Sequence, residues 1–497
     1  MKLTELFPEN EFKEIISFAG SELSGETEIK TLTSDSRKAG KDSIFVCING
    51  SEADGHEYVP NAYKLGCRIF VCEHAVTIPG ESALVIAVPD TRKTLALLAE
   101  RFYGSPAKKL KLIGITGTKG KSTVAEFIYR ILNDSGRKAG IIGTCGIRFG
   151  VEKRITGNTT PDALELASVF SEMYRAGIEY VVMEVSSQAC LLDRIYGLHF
   201  ERAVFTNLYY DHIGPSEHPT FENYKECKKS LFRMADISVI NSDDHYARDM
   251  ISGIASENLL FFGCASEGSR TAPYYRAENI ARWNEKGIYG MTFDCRDVRF
   301  YIRMPGTINV SNAMAAISVC ESLGLSLVEI SERLRNVTVR GRFETYESDG
   351  RTFVIDYAHN GASLESALKI LRAYTSGRLI VLFGSVGGRT QLRRSEMGEA
   401  ADRLADFCIV TSDNPDAESP EDIIDDIVLN IKHCPHIGIP DRADAIRYAV
   451  ENAKPGDVVL LAGKGHEEYQ LIDGKKISFS ERDILKKALE EMYSLVL

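Results

Sequence analysis

An apolar run that passes through Gly114 and ends at Gly117 and Gly120 leads directly into Lys121-Ser122-Thr123. Glycines let successive backbone N–H groups turn inward around a phosphate, and the N-terminus of a following helix adds positive potential. In such a loop Lys121 would reach the terminal phosphates and the Ser122 hydroxyl would ligate Mg²⁺. The spacing departs from the general phosphate-loop pattern once: the first glycine of that pattern falls on Ile115. A second candidate is Glu184, which ends the apolar run 180–184 and precedes Val185-Ser186-Ser187. A carboxylate at the end of a core strand beside a phosphate loop is where a Mg²⁺ ligand belongs, and it is also what an ordinary strand-end acid facing water looks like. His212 reads equally as a metal ligand or a surface imidazole. The lysines at 225, 228 and 229 lie on a helical segment over 223–232 whose composition is that of a solvated basic face, and spacing alone selects none of them.

These residues need elements to hold them. Val124, Phe127, Ile128, Ile131 and Leu132 recur at helical spacing after the loop, with Gly136 as a C-terminal stop. In the last third, apolar runs at 351–356, 378–383, 406–411 and 457–461 each precede a loop and a helical pattern. That alternation predicts a parallel sheet covered on both faces. Its ligand-facing loops, 357–360, 384–389, 412–416 and 462–467, should then share one edge. Residues before 106 carry shorter runs (43–48, 68–72, 84–88) and a helix over 91–103, closed by Gly104-Ser105-Pro106. The predicted class is α/β in three domains. Residues 1–106 form a small N-terminal α/β substrate domain, 107–337 a central ATPase domain with a mainly parallel sheet, and 338–497 a Rossmann-like α/β domain.

A chain of 497 residues is too long for one core, which stops growing at roughly 250–300 residues. Its net charge of −11 argues against a surface built for nucleic acid or anionic lipid, while leaving room for a local basic site. The 11 cysteines are scattered without a CxxC pair, as expected of reduced thiols in a cytoplasmic protein. The N-terminus lacks a signal-peptide pattern, and no apolar run approaches the roughly 20 residues that span a bilayer. The expected partners are small molecules, and the expected state is a monomer.

Ten strings in order resemble the Mur ligase family over essentially the whole chain. They are the loop 117–122, Asn158-Thr159-Thr160-Pro161, residues 183–187, Asp211-His212, Asn241-Ser242-Asp243-Asp244, Asn309-Val310-Ser311-Asn312, Gly341-Arg342-Phe343-Glu344, Asp356-Tyr357-Ala358-His359, Asp413-Asn414-Pro415 and Gly463-Lys464-Gly465-His466-Glu467. With residues 33–37, the last two resemble the MurE type, which adds the third amino acid of the peptidoglycan stem peptide. The resemblance implies ATP, Mg²⁺, UDP-N-acetylmuramoyl-L-alanyl-D-glutamate and a free diamino acid. It implies ATP contacts from Gly117, Thr118, Lys119, Gly120, Lys121, Ser122, Thr123, Asn309, Arg342, Asp356 and His359. Ser34 and Ser36 would touch uridine, and Asn158, Thr159, Thr160, Ser186 and Arg194 the sugar–dipeptide. Arg389, Asp413, Asn414, Pro415, Asp416, Gly463 and Glu467 would meet the amino acid. Metal ligands would be Ser122, Glu184, His212 and Lys228, the last carbamylated by CO₂. Lys121, Glu184, His212, Lys228 and Arg342 would carry the catalysis.

In the diaminopimelate-adding branch of the family, an arginine follows Asp-Asn-Pro and pairs with the distal carboxylate. Here Asp416 stands there, and an acid would repel a carboxylate and attract an ammonium. The longer segment after His212, and Asn360-Gly361 after His359, look like the lysine-adding branch. The sequence therefore favours L-lysine over meso-diaminopimelate and ornithine, with Arg393 or Arg394 as other sources of a guanidinium. The rivals are sister ligases, against which the last two strings argue, and an ATP-hydrolysing switch or scaffold.

Overall fold

The computed structural model describes residues 1–8, 14–17, 26–50, 53–80, 82–214, 217–264, 274–285, 287–388 and 391–496, with 14–17 and 493–496 as backbone alone. The chain forms two compact units, one mainly Met1–Gly263 with Ala315–Gly324, the other mainly Tyr275–Met314 with Leu325–Leu497. Among the described residues no helix is long and apolar enough to cross a membrane.

The first unit holds two sheets. Strands β1 (Glu14–Ser17), β2 (Thr31–Thr33), β3 (Ser43–Val46), β4 (Ile69–Cys72) and β5 (Leu84–Ala87) are ordered β1-β5-β4-β3-β2. All the pairs are parallel except β1–β5. The apolar runs of β3 and β4 are buried on both faces, which is why they do not alternate. The helix Thr91–Phe102 follows, capped by Asp90, which accepts from the Lys93 N–H at 3.0 Å.

The larger sheet centres on β6 (Lys111–Thr116). Strands β7 (Ala139–Gly143), β8 (Gly146–Phe149) and β9 (Glu152–Arg154) form its antiparallel end, followed in the chain by β10 (Tyr180–Glu184), β11 (Phe200–Phe205), β12 (Ala235–Asn241) and β13 (Leu259–Gly263). Within this unit the order is β13-β12-β11-β6-β10-β7-β8-β9. Parallel pairing sets Ile115 of β6 beside Glu184 of β10 and Val204 of β11. Ile115 is thus a buried strand residue, so the phosphate loop starts after Thr116 and cannot carry a glycine turn at 115.

In the second unit β14 (Tyr275–Glu285), β15 (Ile288–Cys295) and β16 (Val298–Ile302) form an antiparallel meander. Strands β17 (Glu344–Ser348), β18 (Arg351–Asp356), β19 (Leu379–Phe383), β20 (Phe407–Val410), β21 (His436–Gly438) and β22 (Val458–Ala462) make a sheet ordered β17-β18-β22-β19-β20-β21. All its pairs except β17–β18 are parallel. The four loops expected on one edge therefore do leave the same end of the sheet. Two of them are tied beneath the surface by Arg442, wholly buried, which donates to the Ser412 carbonyl at 2.9 Å and the Ala462 carbonyl at 2.7 Å. Glu481 balances its charge, accepting from Nε at 2.8 Å. A hairpin of β23 (Tyr469–Ile472) and β24 (Lys475–Ser478) stands beside this edge.

Candidate active site

Gly117 and Gly120 take φ of +147° and +89°, conformations that favour glycine. A Cβ on Gly117 would also collide with the Thr206 hydroxyl. The loop is braced from behind by Asn207, whose carbonyl accepts from the Thr118 N–H and whose Oδ1 accepts from the Lys119 N–H, both at 2.9 Å. The helix Lys121–Asp134 starts without a side-chain cap, so the positive end of its dipole adjoins the loop. Lys121 Nζ folds onto the Gly117 and Thr118 carbonyls at 2.8 and 3.1 Å. Ser122 lies in the first turn of that helix, with Thr123 buried beside it.

Glu184 is buried at the end of β10 and held by three donors. Ser122 Oγ donates to it at 2.9 Å, the Thr144 N–H at 2.8 Å and Thr144 Oγ1 at 3.2 Å. Gly143 has no room for a Cβ, which would strike the carboxylate. Glu184 is thus not a solvated strand-end acid. The adjoining Ser122 hydroxyl and Glu184 carboxylate are the hard oxygen donors that suit Mg²⁺.

Lys228 departs most from its compositional reading. The helix runs Phe221–Lys229 and gives way to a 3₁₀ turn at Ser230–Met234. On it Lys225 pairs with Glu222 and Asp249, and Lys229 with Glu226. Lys228 instead is 2% exposed and donates to the Gly117 carbonyl at 3.0 Å. Burial, reinforced by the nearby Lys121 charge, pushes its amine well below the usual lysine range. The buried Tyr224 ring lies 4.5 Å from its Nζ, and the Tyr224 hydroxyl is 3.0 Å from Thr118 Oγ1. His212 stands on an exposed rim, with φ of +58° and Nδ1 3.2 Å from Glu217. The neighbouring His218 is the buried imidazole, 2.9 Å from Ser187 Oγ and 2.7 Å from Asn223 Oδ1.

Beside Glu184, Thr160 Oγ1 donates to the Glu184 carbonyl at 2.8 Å and accepts from the Ser186 N–H at 3.0 Å. Arg194 donates to the Thr160 carbonyl at 2.7 Å, and Thr159 Oγ1 is 3.2 Å from Thr144 Oγ1. Asn158 is exposed on the same segment. In the turn that follows β2, Ser34 is exposed, and Ser36 is buried 3.5 Å from Asn61 Nδ2.

In the second unit a buried lysine organises the loops after β20 and β22. Lys464 donates to Asn414 Oδ1 and Glu467 Oε2, each at 2.8 Å, and lies 3.6 Å from Asp413. Against the cost of burial, the Lys464 ammonium and the Asn414 amide hold the Glu467 carboxyl below its usual range. Gly463, at φ +114°, packs against Asp413, and Pro415 against Gly387. The Tyr357 ring makes tilted contacts with His359 and His466, centroids 4.6 and 4.7 Å away, with the Arg342 guanidinium 4.9 Å from its ring. Burial lowers His359 and drives His466 to about 4. Asp356, also buried, accepts from the Phe343 N–H at 3.0 Å, and burial raises its carboxyl. Asn309 turns its amide to the Pro305 carbonyl at 2.7 Å.

Comparison with known proteins decides the family. Residues 28–103 match the Mur ligase family catalytic domain, 115–320 the Mur ligase middle domain, and 341–465 the Mur ligase glutamate ligase domain. The chain is 41% identical, over 93% of its length and 95% of the relative's, to the UDP-N-acetylmuramoyl-L-alanyl-D-glutamate–2,6-diaminopimelate ligase of Caldanaerobacter subterraneus subsp. tengcongensis. The chain belongs to the Mur ligase family. It is an ATP-dependent ligase with the three-domain Mur ligase fold. The ligase of the same description from Chlorobaculum tepidum is 39% identical, with 93% of each chain covered. A solved structure of a UDP-N-acetylmuramoyl-L-alanyl-D-glutamate–2,6-diaminopimelate ligase matches 99% of both chains at 27% identity and a TM-score of 0.70. The Thermotoga maritima MurF ligase in complex with ADP, 20% identical, shares the fold at a TM-score of 0.58 over 94% of this chain and 99% of that one.

Two residues weighed for the choice of amino acid in this Mur ligase have local partners. Asp416 has one carboxylate oxygen engaged. It takes φ of +54°, its N–H donates to the Leu471 carbonyl at 2.9 Å, and Oδ1 accepts from the Gly474 N–H at 2.7 Å, so it secures the β23–β24 hairpin. Arg394 is not a free guanidinium: it is 3% exposed and paired with both Glu418 and Asp426. Asn360-Gly361 also has a local cause. Asn360 caps the helix Gly361–Arg372, and a Cβ at 361 would come within 2.6 Å of Glu396 Cβ. Arg389 lies outside the described residues. Sequence reasoning gave no role of their own to Thr144, Tyr224, Lys464 and Arg442: Thr144 matters through its contacts with Glu184, and the other three through burial that spacing does not reveal.

Proposed function

We propose that this Mur ligase joins meso-diaminopimelate to the D-glutamyl side-chain carboxylate of UDP-N-acetylmuramoyl-L-alanyl-D-glutamate, driven by ATP, in peptidoglycan biosynthesis. The observation that carries the chemistry is the cluster of Lys121, Ser122, Glu184 and buried Lys228 around one phosphate loop. The choice of amino acid is supported by near-full-length relatives described as 2,6-diaminopimelate ligases. A carboxylate is a poor electrophile, so its oxygen attacks the γ-phosphorus and ADP leaves, giving an acyl phosphate. The amine then attacks the carbonyl carbon, loses a proton, and expels inorganic phosphate. Lys121 and the loop N–H groups orient the phosphates and offset the charge that develops on them. Ser122 and Glu184 would hold Mg²⁺, which would supply further charge stabilisation when bound. Lys228 would react as a neutral amine with CO₂, losing one proton to become a carbamate, and would offer an anionic oxygen to that set. Burial favours the neutral amine this step requires. Ser34 and Ser36 meet uridine, Asn158, Thr159, Thr160, Ser186 and Arg194 the sugar–dipeptide, and Asn414 and Glu467 the amino acid, with Arg389 on its α-carboxylate.

L-lysine remains the second reading, because no arginine follows Asp413-Asn414-Pro415. Phosphate release with ATP, Mg²⁺ and the UDP-sugar dipeptide, varying only the amino acid, tests the choice. Meso-diaminopimelate is expected to give the highest kcat/KM. Asp416→Asn should change its preference over L-lysine by less than about threefold, since that carboxylate secures an exposed hairpin. Preference for L-lysine, with a large swing in Asp416→Asn, would restore the lysine reading. Phosphate release without any amino acid would favour the switch.

A further inference from the structure

A diamino acid bearing two carboxylates needs two cationic contacts, and most cations around the loop edge of the second unit are engaged. Arg394 holds Glu418 and Asp426, Lys464 holds Asn414 and Glu467, Arg442 holds Glu481, Arg340 pairs with Glu468 and Arg482 with Glu344. Arg393 differs. It is half-buried, and among the described residues it makes no hydrogen bond or ion pair.

Its position follows from the packing of its helix, Gln391–Leu404. Glu396, one turn further on and on the same face, packs against Gly361 at the start of the helix that follows His359. The Arg393 charge is accordingly felt at His359, where it adds to burial in disfavouring the protonated ring. On the other side, the loop leading into the helix is fastened to the loop after β20. The Gly387 N–H donates to the Asn414 carbonyl at 2.9 Å, and the Gly388 N–H to Glu418 at 3.1 Å. Arg393 thus stands on the element wedged between the loop of Asn414 and that of His359, and Tyr357 and Asn414 from those loops both reach Glu467.

We propose that Arg393 binds the second carboxylate of the incoming diamino acid, in place of the guanidinium that residue 416 does not supply. A planar guanidinium suits a carboxylate through two parallel hydrogen bonds, and its loss penalises the dicarboxylic substrate selectively. The proposal rests on the diaminopimelate reading above.

The test compares kcat/KM for meso-diaminopimelate and L-lysine, which lacks the second carboxylate, in wild type, Arg393→Gln and Arg393→Lys. In Arg393→Gln the diaminopimelate value should fall about 100-fold, while the lysine value and the KM for ATP stay within about threefold. Arg393→Lys should recover part of the loss. An unchanged ratio between the two amino acids in both variants, whether both values fall or neither does, would overturn the assignment. Failure of the underlying reading looks different: wild type itself would then not couple phosphate release to meso-diaminopimelate.

Discussion

Lys228→Ala is expected to lower ligation about 10³-fold or more, with small carboxylates such as formate or acetate restoring part of it. The amine is almost fully buried and 3.0 Å from the Gly117 carbonyl, and both burial and the Lys121 charge favour its neutral form. An unmodified ammonium there would set two like charges, those of Lys121 and Lys228, against the one Gly117 carbonyl. A carbamate would resolve that conflict by replacing one of the two positive charges with a negative one. Intact-protein and peptide mass spectrometry under CO₂ should show the addition of one CO₂ at Lys228 and at neither Lys225 nor Lys229, which are tied to acids. Near-wild-type activity in Lys228→Ala would remove the residue from the mechanism.

Lys121→Ala is the second large effect: phosphate release should fall about 10²–10³-fold, with no rescue by carboxylates. In this structure its ammonium rests on the Gly117 and Thr118 carbonyls, within the loop that would receive the phosphates. Its loss removes a positive charge, whereas that of Lys228 removes the scaffold for a negative one. Rescue by amines for Lys121→Ala and by carboxylates for Lys228→Ala would separate the two roles. Loss of less than about tenfold in Lys121→Ala would show that the loop N–H groups suffice without it.

Regularity decided what could be read in advance. Continuous apolar runs marked the parallel strands of the second unit because burial on both faces leaves no alternation, and the loops they carry were legible for the same reason. Lys121-Ser122 was legible because a phosphate loop is a contiguous pattern. Lys228 was not, since whether a lysine on a polar helix faces water or the loop depends on how that helix packs, and on composition alone it joins the solvated face. The same limit explains Asp416. A residue type at a motif position suggests an electrostatic role, but a hairpin of distant sequence, residues 469–478, claims its carboxylate. Glu184 was half legible: its place at a strand end was visible, while the three donors that hold it come from the phosphate-loop helix and from Thr144.

In the proposed reaction the substrate carboxylate attacks the γ-phosphate of ATP. Enrichment of the D-glutamyl side-chain carboxylate of UDP-N-acetylmuramoyl-L-alanyl-D-glutamate with heavy oxygen, followed by mass analysis of the phosphate released during turnover with meso-diaminopimelate, tests it directly. Transfer of one labelled oxygen into each phosphate released is the predicted result, because the acyl phosphate breaks between carbon and that oxygen. Unlabelled phosphate would mean that water attacks ATP, and would contradict the ligase mechanism set out here.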